Sequence, residues 1–471
     1  MVELLISMVA GLAVVLSVVA MGRDATMNFH EEMKVASTQM TQRIAAQRLR
    51  ADLERTGFMA TGNMPRDPVV AHCLAAAAAP CTGQDTVGST PTYIDTTREK
   101  GLVDLMSVRL KVGGSLSDPD VAAASGLIDN GGMNPDIIEL AGNFTTADEF
   151  SASIDQPAGG CSGARIYLET KDPAVLRMLY VRDGTGTFDQ TAADNAVRAA
   201  FAPVYDTTTN KTPTFGIRVS DSSLTHYQFV GICDQPNSIV VQDPVTSPTG
   251  LARAYIDTIR PLMTQDLGIG GIVPGGGAGS GAVVNPVQIV RWEIARRATR
   301  GGKVGAAGTT LDTAGVAALS TSRFELLRTW VPFNFGPFAN VGADADCPRC
   351  VELVAEFAID LKFGFSVMSP APPLAPLPPP PPPYAINDYA LDDTANNGPV
   401  APSVLSNGTP QLIRSINFRL GTRTALPDRA VTLGGAPPHF LYRYQLAPNQ
   451  YARARETVEE VFLANQTSMI Y

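Results

Sequence analysis

An apolar run from Leu4 to Met21, headed by Glu3 and continued without a break by a long polar helix, constrains this chain more than any other feature. The 18 residues of the run, at 1.5 Å rise each, cover about 27 Å, close to the hydrocarbon thickness of a bilayer. The run is therefore expected to span a membrane. A carboxylate at bilayer depth costs roughly 2.5–3.5 kcal/mol on insertion scales and persists where a partner charge is supplied, so Glu3 is expected to be functional. Beyond Met21 come Arg23, Asp24, His30, Glu31, Glu32 and Lys34, with no Pro or Gly from Arg23 to Thr56, and the same helix is expected to leave the membrane and continue. Along this second half Met33, Met40, Ile44, Leu49 and Leu53 recur at mostly helical spacing with Arg43, Gln47, Arg50 and Glu54 between them. That pattern predicts a stripe laid on a core. Gly57 then supplies a left-handed stop, with Phe58 reaching back to Leu53 as in a Schellman motif. One helix of about 55 residues and about 80 Å results.

Two plainer readings of the N-terminus explain less. A secretory signal carries a basic n-region and an apolar core of about 7–15 residues, whereas this core is longer and its n-region acidic. An ordinary single-span anchor accounts for the apolar run but for neither Glu3 nor the uninterrupted helix behind it.

The segment Met1-Val-Glu-Leu-Leu-Ile-Ser-Met8 with the run that follows it resembles the N-terminus of type IV pilin-like proteins. The segment Gln47-Arg-Leu-Arg-Ala-Asp-Leu-Glu-Arg-Thr-Gly-Phe58 resembles the helix ending of PilW-type minor pilins and of the related pseudopilin J of type II secretion. In that family four residues, and before them a basic leader ending in Gly, precede the glutamate, whereas only Met1 and Val2 do so here; an upstream leader is expected. The resemblance implies an α+β, pilin-like fold. It implies that residues 1–22 form a transmembrane helix and 23–57 its amphipathic periplasmic continuation, packed on the mostly antiparallel sheet of a disulfide-containing domain over 58–471. Two later phrases, Leu326-Leu-Arg328 and Val354-Ala-Glu-Phe357, are similar to strand phrases of the same class.

Composition narrows the partners. Charged residues are 17% of the chain while Gly (42) and Pro (36) are abundant, so loops should be long and many. The net charge of -9 argues against nucleic acid as a partner, since a phosphate-binding protein would show a basic face. Six cysteines, Cys73, Cys81, Cys161, Cys233, Cys347 and Cys350, all lie beyond the helix and favour an oxidising compartment. Fifteen connectivities are possible, and the sequential one, Cys73 to Cys81, Cys161 to Cys233 and Cys347 to Cys350, is preferred. The Cys347-Pro-Arg-Cys350 spacing also suits a redox dithiol or half a zinc site. A zinc ribbon needs a second close pair, and the seven residues between Cys73 and Cys81 are too many. A thioredoxin-like pair opens a helix after a strand, whereas this one follows Gly342-Ala-Asp-Ala-Asp346. A structural clip is the preferred reading.

Within the apolar piece Val103–Val112 a strand is expected at Val108-Arg-Leu-Lys-Val112, which alternates, and further strands at Ile137–Leu140, Ala164–Leu168, Val175–Val181, Phe215–Val219, Tyr227–Ile232 and Ser238–Val241. Ala252–Met263 has helical spacing, and Gly268–Pro286 reads as a Gly-rich loop. Its Gly277-Ala-Gly-Ser-Gly-Ala282 matches a dinucleotide fingerprint in letters only, because no strand leads in and no helix follows. Val287–Ala295, Phe324–Val331 and Val351–Val367 read as sheet. Residues 369–410, opening on polyproline, could link two folded units, but are read in preference as an insertion, because Leu412–Leu420 and Ala454–Phe462 resemble the last elements of the same family's sheet.

No catalytic constellation emerges. His30, His72, His226 and His439 are far apart without an H-E-x-x-H spacing, and neither a G-x-S-x-G elbow nor a Walker A sequence occurs. The aspartates within Asp129–Asp136 and Asp388–Asp393 lack the ligand pattern of a calcium loop. No cofactor or metal is implied. The resemblance implies a structural subunit that helps initiate or cap a type IV pilus at its tip. Its helix sits in the inner membrane before assembly and in the filament core afterwards, with Glu3 pairing to the N-terminal amine of a neighbour. The implied partners are other minor pilins, the major pilin, a prepilin peptidase and a tip adhesin. A pseudopilin J-like tip subunit of a secretion system, or a membrane-anchored periplasmic receptor or enzyme, are the alternative classes.

Overall fold

The computed structural model describes residues 2–70, 94–103, 105–113, 135–155, 161, 163–182, 184–185, 187–204, 213–221, 227–235, 237–242, 252–262, 279–295, 324–339, 350–369, 385–389, 410–425, 443–447 and 450–466. Helix α1, Val2–Glu54, runs unbroken for 53 residues, about 80 Å at helical rise. Glu3 lies in its first turn, where a carboxylate suits the positive end of the helix dipole.

Eleven strands form the first sheet: β1 (Val108–Lys111), β2 (Ile137–Gly142), β3 (Phe150–Asp155), β4 (Arg165–Leu168), β5 (Gly216–Asp221), β6 (Tyr227–Gly231), β7 (Ile239–Gln242), β8 (Arg253–Asp257), β9 (Gly279–Ala295), β10 (Glu325–Val331) and β11 (Val351–Glu356). The main path is β1-β2-β9-β3-β4-β8-β7, and every ladder between these described strands is antiparallel. Strand β9 is its spine. The first half of β9 pairs with β3 on one edge and β5 on the other; the second half pairs with β2 and β10 in the same way. A second antiparallel sheet of five strands has the order β13-β12-β14-β16-β15, formed by β12 (Ala358–Ser369), β13 (Ala385–Tyr389), β14 (Ile413–Arg423), β15 (Arg443–Ala447) and β16 (Gln450–Phe462).

Burial follows this division. Around the first half of β9, helices α2 (Pro173–Leu179) and α3 (Gln190–Phe201) bury Val175, Leu179, Val197 and Phe201 against Phe150, Ile166, Ile217 and Phe229. Around the second half, Leu49 and Leu53 of α1 join Val290, Trp292 and Leu326 of the first sheet and Phe363, Phe418 and Leu420 of the second. The fold is thus α+β, with a long N-terminal helix and mostly antiparallel sheets.

Several expectations are corrected. The apolar stripe of α1 splits: Leu49 and Leu53 are fully buried, but Met33, Met40 and Ile44 are 56%, 67% and 52% exposed, Met33 at a cleft between the helix and the body. Gly57 adopts φ +74° as expected of a stop. Its N–H, however, donates to Ala141 O of β2 at 2.8 Å, and that of Phe58 to Arg55 O, so the helix end is tied to the sheet rather than closed by a Schellman pair. Val175–Val181 is not a strand; α2 occupies it, because Asp172 caps the N–H of Ala174 at 2.8 Å and Pro173 suits the first helical position. Conversely Ala252–Met263 is not helical: β8 places Ala254 and Ile256 inward at period two. The Gly-rich loop ends early, since β9 begins at Gly279, with Gly281 at φ +125° next to a register shift against β3. Within 369–410, Ala385–Tyr389 is a strand paired with β12. The other residues assigned to the Gly-rich loop and to the insertion, apart from Ser369 and Pro410, lie outside the described residues.

Candidate functional site

The feature that sets this molecule apart is the two-part environment of α1. In the N-terminal part, Val9, Leu12, Val15 and Val19 are 60–65% exposed. The most apolar 18-residue window of α1 has mean hydropathy 2.0 and none of it is buried against the chain; among the described residues this is the one helix long and apolar enough to cross a membrane. Such a surface is unfavourable in water, at about 25 cal/mol per Å² of apolar area. Glu3 at its head is exposed and makes no ion pair among the described residues.

From Gln42 onward the helix is fastened to both sheets. Asp52, 5% exposed, accepts from Trp292 Nε1 of β9 at 2.9 Å and from Arg328 Nε and Nη2 of β10 at 2.7 and 3.2 Å. Trp292 and Arg328 are direct cross-strand partners, so the β9–β10 register brings both donors to one carboxylate. Arg328 stacks on Trp330 at 4.1 Å and reaches Glu352 of β11 at 3.5 Å, and Glu352 returns to Arg48, one helical turn before Asp52, at 3.2 Å. The Arg48–Glu352 pair is largely exposed and adds little; the Asp52–Arg328 pair is buried, and removing either partner would strand the other charge. Toward the second sheet, Gln42 Nε2 donates to Leu420 O and Arg455 O at 2.9 and 3.1 Å. At the helix end Asn465 Nδ2 donates to Glu54 O at 2.8 Å and Arg55 Nη1 to Phe144 O at 2.7 Å.

Between these two parts α1 stands off the body and leaves a cleft of 530 Å³. His30, Lys34 and Thr41 of the helix line it on one side, and Phe357, Thr422 and Arg423 on the other. Burial lowers the Arg423 pKa to about 10. Among the described residues no group of three or more His, Cys, Asp or Glu side chains is placed to hold a metal ion.

Of the cysteines, Cys161 ahead of β4 and Cys233 after β6 form a disulfide, with Cα atoms 6.4 Å apart. Cys350 is also disulfide-bonded. Cys73, Cys81 and Cys347 lie outside the described residues. Sequence reasoning singled out Glu3 and the cysteines but missed Asp52, Trp292 and Gln42. A signal for Asp52 was present, since this acid sits on the buried face between Leu49 and Leu53; its partners, some 240 and 276 residues away, carry none.

Compared with protein-family models, with curated proteins and with solved structures, the chain matches none. What fold and site define is an α+β chain in which, among the described residues, one long exposed apolar helix runs unbroken into a large β-rich body.

Proposed function

We propose that this chain is a subunit of a membrane-assembled, type IV pilus-like filament: a minor pilin of the PilW type that initiates or caps assembly at the tip. The observation that carries this reading is the division of α1 into a bare apolar half and a half fixed to both sheets through Asp52 and Gln42. A tether for a periplasmic receptor or enzyme needs only a flexible linker after its span. An unbroken helix with buried charge at its far end instead passes every displacement of the span to the body without slack. The likeness of residues 1–8 and 47–58 to pilin-like proteins supports the same reading.

Before assembly the helix resides in the inner membrane with the body in the periplasm, an oxidising space in which the Cys161–Cys233 bridge persists. In the filament the helix packs against those of other minor pilins and the major pilin, and Glu3 pairs with a neighbour's N-terminal amine. Register follows, because a buried carboxylate left unpaired is heavily penalised. The test is Glu3→Ala. The span is intact, so the variant should fractionate with the membrane as before, while its recovery in sheared filaments should fall at least about tenfold. Undiminished recovery would overturn the assembly role of Glu3.

A further inference from the structure

Cations line the cleft between α1 and the body from both walls. His30 and Lys34 stand on the helix side and Arg423 of β14 on the sheet side, while Glu356 is the one acid among the described lining residues. Arg423 is 2% exposed. Its guanidinium lies over the rings of Phe357 and Tyr444 at 5.0 and 5.5 Å, and its Nη1 donates to Thr424 O at 2.9 Å. The contacts it makes do not offset its burial, which lowers its pKa to about 10. A buried cation in that state is stabilised by an anion brought up to it. Across the cleft, neither the Lys34 ammonium nor the His30 ring is hydrogen-bonded or ion-paired among the described residues.

The rest of the lining narrows the ligand. A phosphate monoester offers three terminal oxygens to the guanidinium fork, the ammonium and the imidazole, one more than a carboxylate has. Thr38 and Thr41 already donate their hydroxyl protons to Lys34 O and Ser37 O, at 2.9 and 3.1 Å, so they offer the cleft acceptor lone pairs. A ligand that satisfies them brings hydroxyl groups of its own. The volume of 530 Å³ falls within the range of small-molecule pockets, about 300–1,000 Å³. Phe357 on the sheet wall holds φ +57°, an outlying conformation for a bulky residue and one that recurs at ligand sites. Membrane lipid does not reach this height. Lys34 lies 13 residues past Met21, about 20 Å at helical rise, whereas the headgroup layer beyond the hydrocarbon is only about 5–8 Å thick.

We propose that this cleft binds a soluble sugar phosphate, its phosphate held between Arg423 on one wall and Lys34 and His30 on the other, its hydroxyls donating to Thr38 and Thr41. The inference is independent of the pilus reading, since it uses only the geometry of the cleft.

The test is calorimetric titration of the full-length chain in detergent at low ionic strength, with glucose 6-phosphate as the probe. It should bind at one site per chain, glucose should give no binding, and inorganic phosphate should bind at least about threefold more weakly for want of hydroxyls. Lys34→Gln should weaken glucose 6-phosphate at least about tenfold. Arg43→Gln makes the same charge change at an exposed position about 180° around the helix and should leave the affinity unchanged. Lys34 is itself exposed, so its variant keeps the fold. Phosphatidylglycerol mixed into the micelles should not compete. Absence of glucose 6-phosphate binding, equal weakening by Lys34→Gln and Arg43→Gln, or glucose binding as tightly as its phosphate would overturn the site. Inorganic phosphate binding as tightly as the sugar phosphate would overturn the sugar assignment, and displacement by phosphatidylglycerol would overturn the soluble source.

Discussion

Asp52 concentrates the attachment of helix to body in one carboxylate. It sits among apolar neighbours and is held by a guanidinium that is itself 2% exposed and by a fully buried indole. Because a broken buried pair leaves an uncompensated charge, Asp52→Ala should destabilise the body by about 3–5 kcal/mol, and adding Arg328→Met should recover much of that loss. Trp292→Phe removes one donor and should cost about 1–3 kcal/mol. Urea unfolding in detergent, followed by tryptophan fluorescence for the Asp52 variants and by far-UV circular dichroism for Trp292→Phe, checks the series; equal stability of wild type and Asp52→Ala would contradict this account of the attachment. At this scale the sequence was legible only in part. An acid on a buried helical stripe is visible as an anomaly, but the cross-strand register that supplies Trp292 and Arg328 is a tertiary fact. Glu3 was visible because a charge heading an apolar run is costly wherever the run inserts.

Among elements, α1 was legible because an apolar run without breakers allows little else, and the alternating strands β1, β5, β6 and β7 were legible for the same local reason. Failures came where one period imitates another. Val175 and Leu176 look strand-like, yet Asp172-Pro173 is a helix start. In β8 the order Arg-Ala-Tyr-Ile-Asp alternates, and the apolar residues near it imitated a helical repeat. Strand β9 keeps its Gly-rich start because partners on both edges hold it, an override by context that no local pattern announces. Met33, Met40 and Ile44 of α1 were mistaken for core because helical spacing shows that a face is apolar but not what meets it. The capping reading of α2 is testable. Asp172 accepts both Ala174 N and Ser151 N, at 2.8 and 2.7 Å, so Asp172→Ala should cost about 0.5–2 kcal/mol in urea unfolding. A neutral result would mean that α2 is held by packing alone.

For the whole molecule, β9 joins two cores into one body, and α1 enters only the second of them. The span thus connects to the part of the body in which both sheets meet. Roughly 410 residues beyond the helix correspond to a radius of gyration of about 22 Å for a compact body. That is bulky for a subunit stacked on copies of itself along a shaft, and unobstructed at an end. The central claim, a low-copy subunit at the filament tip, is tested most directly by immunogold labelling of intact filaments with an antibody against the β-rich body. The account predicts gold at one end of each filament; label along the whole length, or unlabelled filaments beside labelled membranes, would contradict it.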